Sequence, residues 1–251
     1  MAQLLIDVTD RVATITLNDP DRRNAINSEM NSELVAAFDD LETRDDVGAV
    51  VITGAGKGFC SGADLNLLRN ATDGASLTGI YTGFLRVANS NLPTVAAVNG
   101  ASVGAGMNMA LACDLILAST AARFDTRFLD IGIHPGGGNT WRLRRLTNHQ
   151  TTMAMVLFGQ QLTGTEAAAR GLAWQCVEPD ELLPTAHALA ARAAGYPRQL
   201  AIRVKDTIMG LGAITNSQDA VDHETRPQLW SMAQPQFQEL VAKLQADITK
   251  R

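Results

Sequence analysis

Two stretches of small residues, Gly54–Asp64 (GAGKGFCSGAD) and Asn99–Gly106 (NGASVGAG), constrain this chain more than any other feature. Each follows an apolar strand-like run, Val47–Thr53 and Val95–Val98, and each leads into a helix-like segment. At such a strand-to-helix crossing the backbone N–H groups are free and point outward, so they suit a developing negative charge. Two of these loops in one domain can hold one oxyanion between them. They also demand a fold in which strands alternate with helices.

The rest of the chain fits that demand. Leu4–Val8 and Val12–Leu17 alternate apolar and polar residues around a polar turn, which predicts a β-hairpin. Asn18–Asn27 is a polar connection, and from Ser28 the residues Met30, Leu34, Phe38 and Leu41 share one helical face, with Glu29 in the first turn. Arg69–Gly79 has no apolar period and reads as a mobile excursion. A helix over Ile80–Ser90 follows, with a short helix ending at Ala112 and a strand at Leu115–Ala118. Thr163–Glu166 (TGTE) fits a capping box, with Gly171 as the stop. Gln175–Glu178 reads as a short strand, and Pro184–Ala194 and Arg198–Met209 as helices. The tail from Gln218 is helix-like but interrupted by Pro227 and Pro235. The class is α/β, with a helical C-terminal extension.

A chain of 251 residues with 46% hydrophobic and 19% charged residues has the balance of a soluble globular protein. Its net charge of −5 argues against nucleic acid or an anionic membrane as partner. Cys60, Cys113 and Cys176 are odd in number, widely spaced and free of any CxxC pattern, as expected for free thiols in the cytoplasm without a metal. The opening MAQLLIDVTD has no basic segment before an apolar stretch, so no signal peptide is expected. No run approaches the roughly 18–20 apolar residues of a membrane span.

Spacing removes three familiar readings of the glycine loops. A phosphate-binding GxxxxGK[ST] around Lys57 would place its first glycine on Val51 and its hydroxyl residue on Gly58. A GxGxxG started at Gly54 ends on Phe59, and started at Gly104 it ends on Met109. A GxSxG elbow around Ser61 meets Phe59 and Ala63 instead of glycines. Stabilisation of an oxyanion by backbone amides, without a covalent nucleophile, remains.

GKGFCSGADL (Gly56–Leu65) and NGASVGAGMNMALACDLILA (Asn99–Ala118) resemble the two signature segments of the enoyl-CoA hydratase/isomerase, or crotonase, family. RRNAIN (Arg22–Asn27), IGIHPGGG (Ile131–Gly138) and LTGTEAAARGLA (Leu162–Ala173) match in the same order, so the resemblance covers most of the chain. It implies a crotonase-like spiral of ββα units over residues 1–195. It also implies a helical region over 196–251 that assembles a homotrimer or a dimer of trimers. The implied ligand is a coenzyme A thioester, used as substrate with no cofactor.

Carried over by position, Ala63 and Ala105 are the oxyanion donors. Arg22, Arg23 and Ala25 fall on the strip that binds the CoA nucleotide, and Lys57 is a further candidate for its phosphates; the alternative is solvated surface charge. Ser61, Asp64, Leu65, Val103 and Phe128 complete the implied substrate-binding set, although Asp64 also fits a helix-start residue. An alanine at 105, where many relatives have glycine, would be strained at positive φ.

The resemblance breaks at the acid/base groups. Hydratases of this family use two glutamates, and Asn108 and Phe128 stand in their places. Asparagine can orient water but cannot take its proton at neutral pH, and loss of one acid/base group costs ~10²–10⁴ in rate. Asp130 and His134 are the nearest replacements, as a base–orienter pair; otherwise Asp130 pairs with Arg127 and His134 fills the turn. Asp125 is more distant. Trp230–Phe237 either lines an acyl channel or packs between helices. The nominal activity is enoyl-CoA hydration. The alternatives are an isomerase, hydrolase, decarboxylase or C–C lyase acting on a specialised acyl-CoA, or an acyl-CoA binder without catalysis.

Overall fold

In the computed structural model, which describes residues 2–249, the N-terminal alternation makes a hairpin. Strands β1 (Leu4–Thr9) and β2 (Val12–Leu17) pair antiparallel, from Leu4 opposite Leu17 to Thr9 opposite Val12. Asp10 and Arg11 take φ of 51° and 64°, the backbone that a two-residue hairpin turn requires. Asn27 then caps α1 (Ser28–Leu41) by accepting the Met30 amide at 2.8 Å. Met30, Leu34, Phe38 and Leu41 are buried along one face of that helix, as the 3.6-residue period requires.

From there the chain repeats a unit of long strand, short strand and helix. In the first unit β3 (Ala49–Gly54) runs into β4 (Gly58–Cys60), followed by α2 (Leu65–Asn70), α3 (Gly74–Gly79) and α4 (Thr82–Ala88). In the second, β5 (Thr94–Val98) runs into β6 (Ala101–Val103) and α5 (Ala105–Ala112). In the third, β7 (Leu115–Ser119) runs into β8 (Arg123–Asp125), then α6 (Asn139–Leu146) and α7 (His149–Val156). β9 (Leu162–Thr163), α8 (Gly164–Ala169), β10 (Gln175–Val177) and α9 (Leu182–Ala194) complete the core. The long strands form one sheet in the order β1-β2-β3-β5-β7-β10, and the short ones a second sheet, β4-β6-β8-β9. This is the ββα spiral.

The second sheet was not legible in the pattern. Its strands have two or three residues each, too few to show alternation, and two of them lie inside what reads as glycine loop. Their effect is to place those loops side by side, since β3 pairs parallel with β5 and β4 parallel with β6.

Alternate residues of the long strands serve two cores. Val50 and Ile52 point into the main one, with α1, α4 and α5. Ala49 and Val51 point into a second one closed by Leu182, Ala186, Ala190 and Ala194 of α9. Both faces of the parallel sheet are thereby covered. Thr163 and Glu166 make the capping box, and Gly171 takes φ 77° as the stop.

Two expectations are corrected. Arg69–Gly79 is not a structureless excursion: it contains the end of α2 and all of α3, which Asp73 and Ser76 hold by a capping box. Local side-chain bonds there replace an apolar face. Pro227 does not interrupt the tail but lies inside α11 (Ser217–Met232), whereas α12 (Pro235–Thr249) does begin at Pro235. Packing against α10 (Arg198–Gly210), where the Arg203 guanidinium sits 4.1 Å over the Trp230 ring, offsets the one hydrogen bond that Pro227 removes. Among the described residues no side chain after Ala194 is buried. None of the described helices is long and apolar enough to cross a membrane.

Candidate active site

The first loop is laid against Arg22–Ile26 by Asn24. This fully buried residue takes φ 58°, and its Nδ2 donates to the carbonyls of Ala55, Gly58 and Phe59 at 2.9–3.1 Å. Beyond it the two segments run in register. Ser61 N donates to Arg23 O, Ile26 N to Gly62 O, and Asp64 N to Ile26 O, all at 2.8–3.0 Å. Ile26 and Ala63 thus form an isolated parallel bridge. Extended backbone alternates its polar groups, so the Ala63 amide faces away from that bridge, and it has no acceptor among the described residues.

The second loop presents a matching amide. Gly104 adopts φ 51° and ψ −113° and donates to Asp125 O at 2.9 Å. Ala105 is the first residue of α5, where an amide has no acceptor within the helix. The strain foreseen for alanine at 105 does not arise, because the positive φ falls on Gly104. The loops abut so closely that side chains are excluded. A Cβ at Gly62 would lie 3.1 Å from Val103 O and 3.8 Å from Ala105 N, and one at Gly106 only 2.2 Å from Cys60 O. Ala63 and Ala105 therefore offer unspent N–H groups from adjoining loops.

Around this junction Arg22, Arg23 and Lys57 are exposed cations. Arg22 stands 4.0 Å from Asp19, and its carbonyl accepts Ser61 Oγ at 3.1 Å. Ala25 and Val103 are half-buried, and Leu65 is 65% exposed. Asp64 caps α2 by accepting the Asn66 amide at 2.7 Å, the helix-start role. Cys60 is fully buried, and desolvation pushes its thiol up to about 12, which makes it a core residue and no nucleophile.

Side chains build the other half of the site, and they contain no free acid/base pair. Asn108, 1% exposed, donates from Nδ2 to Gly136 O at 3.1 Å and accepts Asn139 Nδ2 on Oδ1 at 2.8 Å. The carbonyl of Gly136 accepts only, so it fixes the orientation of Asn108, and Asn108 fixes that of Asn139. The Oδ1 of Asn139 is left buried without a partner. Asn108 is tied into this amide ladder. Phe128 is buried, and its carbonyl closes the next turn by accepting the amides of Ile131 and Ile133.

The expected Asp130–His134 hydrogen bond is not made. His134 Nδ1 lies 2.7 Å from Pro135 O, and Asp130 is exposed with no hydrogen bond or ion pair to a described residue. Arg127 does not reach Asp130 either. Its φ of 51° folds it back onto the buried Asp125, with Nη2 at 2.5 Å, and Gln161 Nε2 adds 2.9 Å. His134 lines an open groove of about 440 Å³ with Leu129, Ile133, Pro135, Val156 and Leu157. Trp230 lines a separate groove with Arg203, Arg226 and Pro227. Neither groove includes Ala63 or Ala105. Among the described residues no group of three or more His, Cys, Asp or Glu is placed to hold a metal ion.

Sequence reasoning missed Tyr81. Its hydroxyl lies against Gly136, where a Cβ would stand 2.3 Å away. The signal available was the glycine run Gly136–Gly138, which marks a turn that neighbouring side chains approach closely. Arg142 approaches it too, donating to Gly137 O at 2.7 Å, and burial lowers the pKa of its guanidinium.

Comparison with known proteins gives the family. The family model described as enoyl-CoA hydratase/isomerase matches residues 7–239. A probable enoyl-CoA hydratase of Mycobacterium tuberculosis, EchA14, is 45% identical, over 96% of this chain and 97% of its own length. The 1,2-epoxyphenylacetyl-CoA isomerase of Escherichia coli is 37% identical, over 78% of each chain. A crystal structure of a Thermobifida fusca protein in complex with acetoacetyl-CoA superposes with a TM-score of 0.84 at 29% identity, over 92% of this chain and 95% of that one. The chain belongs to the enoyl-CoA hydratase/isomerase family.

Proposed function

We propose that this protein binds an acyl-CoA thioester and stabilises its enolate with the amides of Ala63 and Ala105, and that it is not an efficient water-adding enzyme. The observation that carries the reading is the pair of unspent amides on abutting glycine loops. A donor of this kind contributes roughly 2.7–4 kcal/mol to an oxyanionic transition state. Exposed Arg22, Arg23 and Lys57 beside the first loop suit the phosphates of CoA. The thioester is the substrate, and the chemistry calls on no metal or further cofactor.

Hydration needs a group that takes a proton from water and one that delivers a proton to carbon. Asn108 is bound to Gly136 and Asn139, and Phe128 supplies a buried ring. Turnover of crotonyl-CoA, followed by its loss of absorbance, is expected to be ~10²-fold or more below that of an ordinary hydratase. Hydratase-like turnover would end the reading.

A second reading is isomerisation, favoured by the likeness to an acyl-CoA isomerase and by His134, an imidazole at the rim of an apolar groove. It predicts double-bond migration in a 3-enoyl-CoA that falls in His134→Ala. We place the protein in the cytoplasm as a homotrimer or dimer of trimers. Val204, Ile208, Leu229, Leu240 and Leu244 on α10–α12 are 50–62% exposed, an apolar surface that a second copy would cover. Light scattering should return a multiple of three chains; a monomer would refute the assembly.

A further inference from the structure

Tyr81 is held by several independent contacts, yet its hydroxyl is unspent. Asn31, 4% exposed on the inner face of α1, clamps the backbone on both sides of it. Its Nδ2 donates to Ile80 O at 3.2 Å, and its Oδ1 accepts the Gly83 amide at 3.1 Å. The clamp demands glycine at 83, since a Cβ there would lie 2.4 Å from Asn31 Oδ1. The Tyr81 ring packs on Phe84 at 5.5 Å between centroids, tilted by 44°. A side chain fixed by packing and by a second layer of hydrogen bonds is the arrangement that functional groups require. The phenol oxygen nonetheless has no hydrogen-bond partner among the described residues, and it rests against Gly136.

Contacts lead from this hydroxyl back to the donor amides. Asn108 lies three residues beyond Ala105, about 4.5 Å along the axis of α5. Its amide reaches Gly136 O at 3.1 Å, and Gly136 meets Tyr81. Gly136 therefore lies between Asn108 and the Tyr81 hydroxyl, on the wall that begins at the N-terminus of α5. Burial pushes the Tyr81 phenol up, so it stays protonated and donates at neutral pH. Arg142, the half-buried cation of α6 that reaches back to the same turn, offers N–H groups as well.

We propose that the Tyr81 hydroxyl donates a hydrogen bond to an oxygen on the β-carbon of the acyl chain, and that the preferred ligands are 3-oxoacyl thioesters. A carbonyl oxygen accepts without needing an acceptor in return, which suits a wall of donors. A plain alkyl chain would leave the desolvated hydroxyl unpaired, and sites built to bond a substrate oxygen reject analogues that lack it. Asn31 and Gly83 are positioning residues. The proposal rests on the acyl-CoA reading above.

Calorimetric titration of wild type and Tyr81→Phe with butyryl-CoA, 3-hydroxybutyryl-CoA and acetoacetyl-CoA tests it. Wild type is expected to bind acetoacetyl-CoA about tenfold more tightly than butyryl-CoA, with 3-hydroxybutyryl-CoA between them. Tyr81→Phe should lose most of that ratio while keeping its butyryl-CoA affinity and its Tm. Gly83→Ala, which displaces the clamp, should lose part of it. A ratio unchanged in Tyr81→Phe, an equal weakening of all three ligands, or 3-hydroxybutyryl-CoA bound as tightly as acetoacetyl-CoA would each overturn the proposal. If none of the three binds wild type, the acyl-CoA reading fails as well, a result distinct from these.

Discussion

The two halves of the site are made of different material. At Gly62–Ala63 and Gly104–Ala105 the groups on offer are backbone amides, held by loops too close to admit a side chain. Around Asn108, Phe128, Gly136 and Tyr81 they are side chains, held by contacts from α1, α4 and α5. A backbone donor survives almost any substitution of its own residue. A side-chain acid or base vanishes with one. Under the proposed reading, the amide half would hold the enolate and the side-chain half would decide which reaction follows it. Conservation of fold and change of chemistry are compatible because they reside in different atoms.

The largest expected effect breaks the amide half. In Gly106→Val the new Cβ would fall 2.2 Å from Cys60 O and 2.8 Å from Cys60 Cβ, so the loops must part. Overpacking at backbone costs about 3 kcal/mol or more, and acyl-CoA binding should disappear with it. Urea unfolding at the wild-type midpoint would show that the loops are not in register as described.

A smaller effect separates the halves by charge. Asn108→Asp puts a carboxylate oxygen opposite the Gly136 carbonyl, with no donor to replace the lost amide. The expected cost near pH 7 is about 1–3 kcal/mol, while the loops and their amides stay in place. Burial raises the folded pKa of such a group above its unfolded value of about 3.9. The variant should therefore approach wild type at about pH 4 or below and lose stability as pH rises through the folded pKa. Urea midpoints from acid to neutral pH check the sign, and a deficit that shrinks toward neutrality would contradict it.

The smallest effect concerns the support of the side-chain half. Arg86 on α4 bonds Glu42 at 2.8 Å and Asp39 at 2.8 Å, which ties the Tyr81 segment to α1. Burial raises the Glu42 pKa, but hydrogen bonds from Arg86 and the Asn91 amide outweigh it, and the net shift is downward. A depressed folded pKa gives stability that is present above about pH 4.3 and is lost as pH falls through the folded value. Glu42→Gln should flatten that acid slope by lowering stability at neutral pH toward its acid value. An unaltered slope would remove Glu42 from the support.

Much of this molecule was legible in its sequence because the cause was local. Apolar period placed the hairpin, α1 and the strands before each loop. Thr163–Glu166 announced its capping box, and the two small-residue loops announced free backbone amides at two strand-to-helix crossings. The same sequence, read by position against the family it resembles, led to the expectation that Asn108 and Phe128 stand in the places of two acids. Tertiary structure alone decided the rest. Strands of two or three residues exist only as partners of one another, so the second sheet has no pattern of its own. Pro227 stays within α11 because that helix packs on α10. Asp130 and His134, four positions apart, do not pair, since the backbone turn sends His134 to Pro135 and the positive φ at Arg127 sends that arginine to Asp125. Tyr81 joins Gly136 across 55 positions through Asn31, a contact whose range no local pattern can encode.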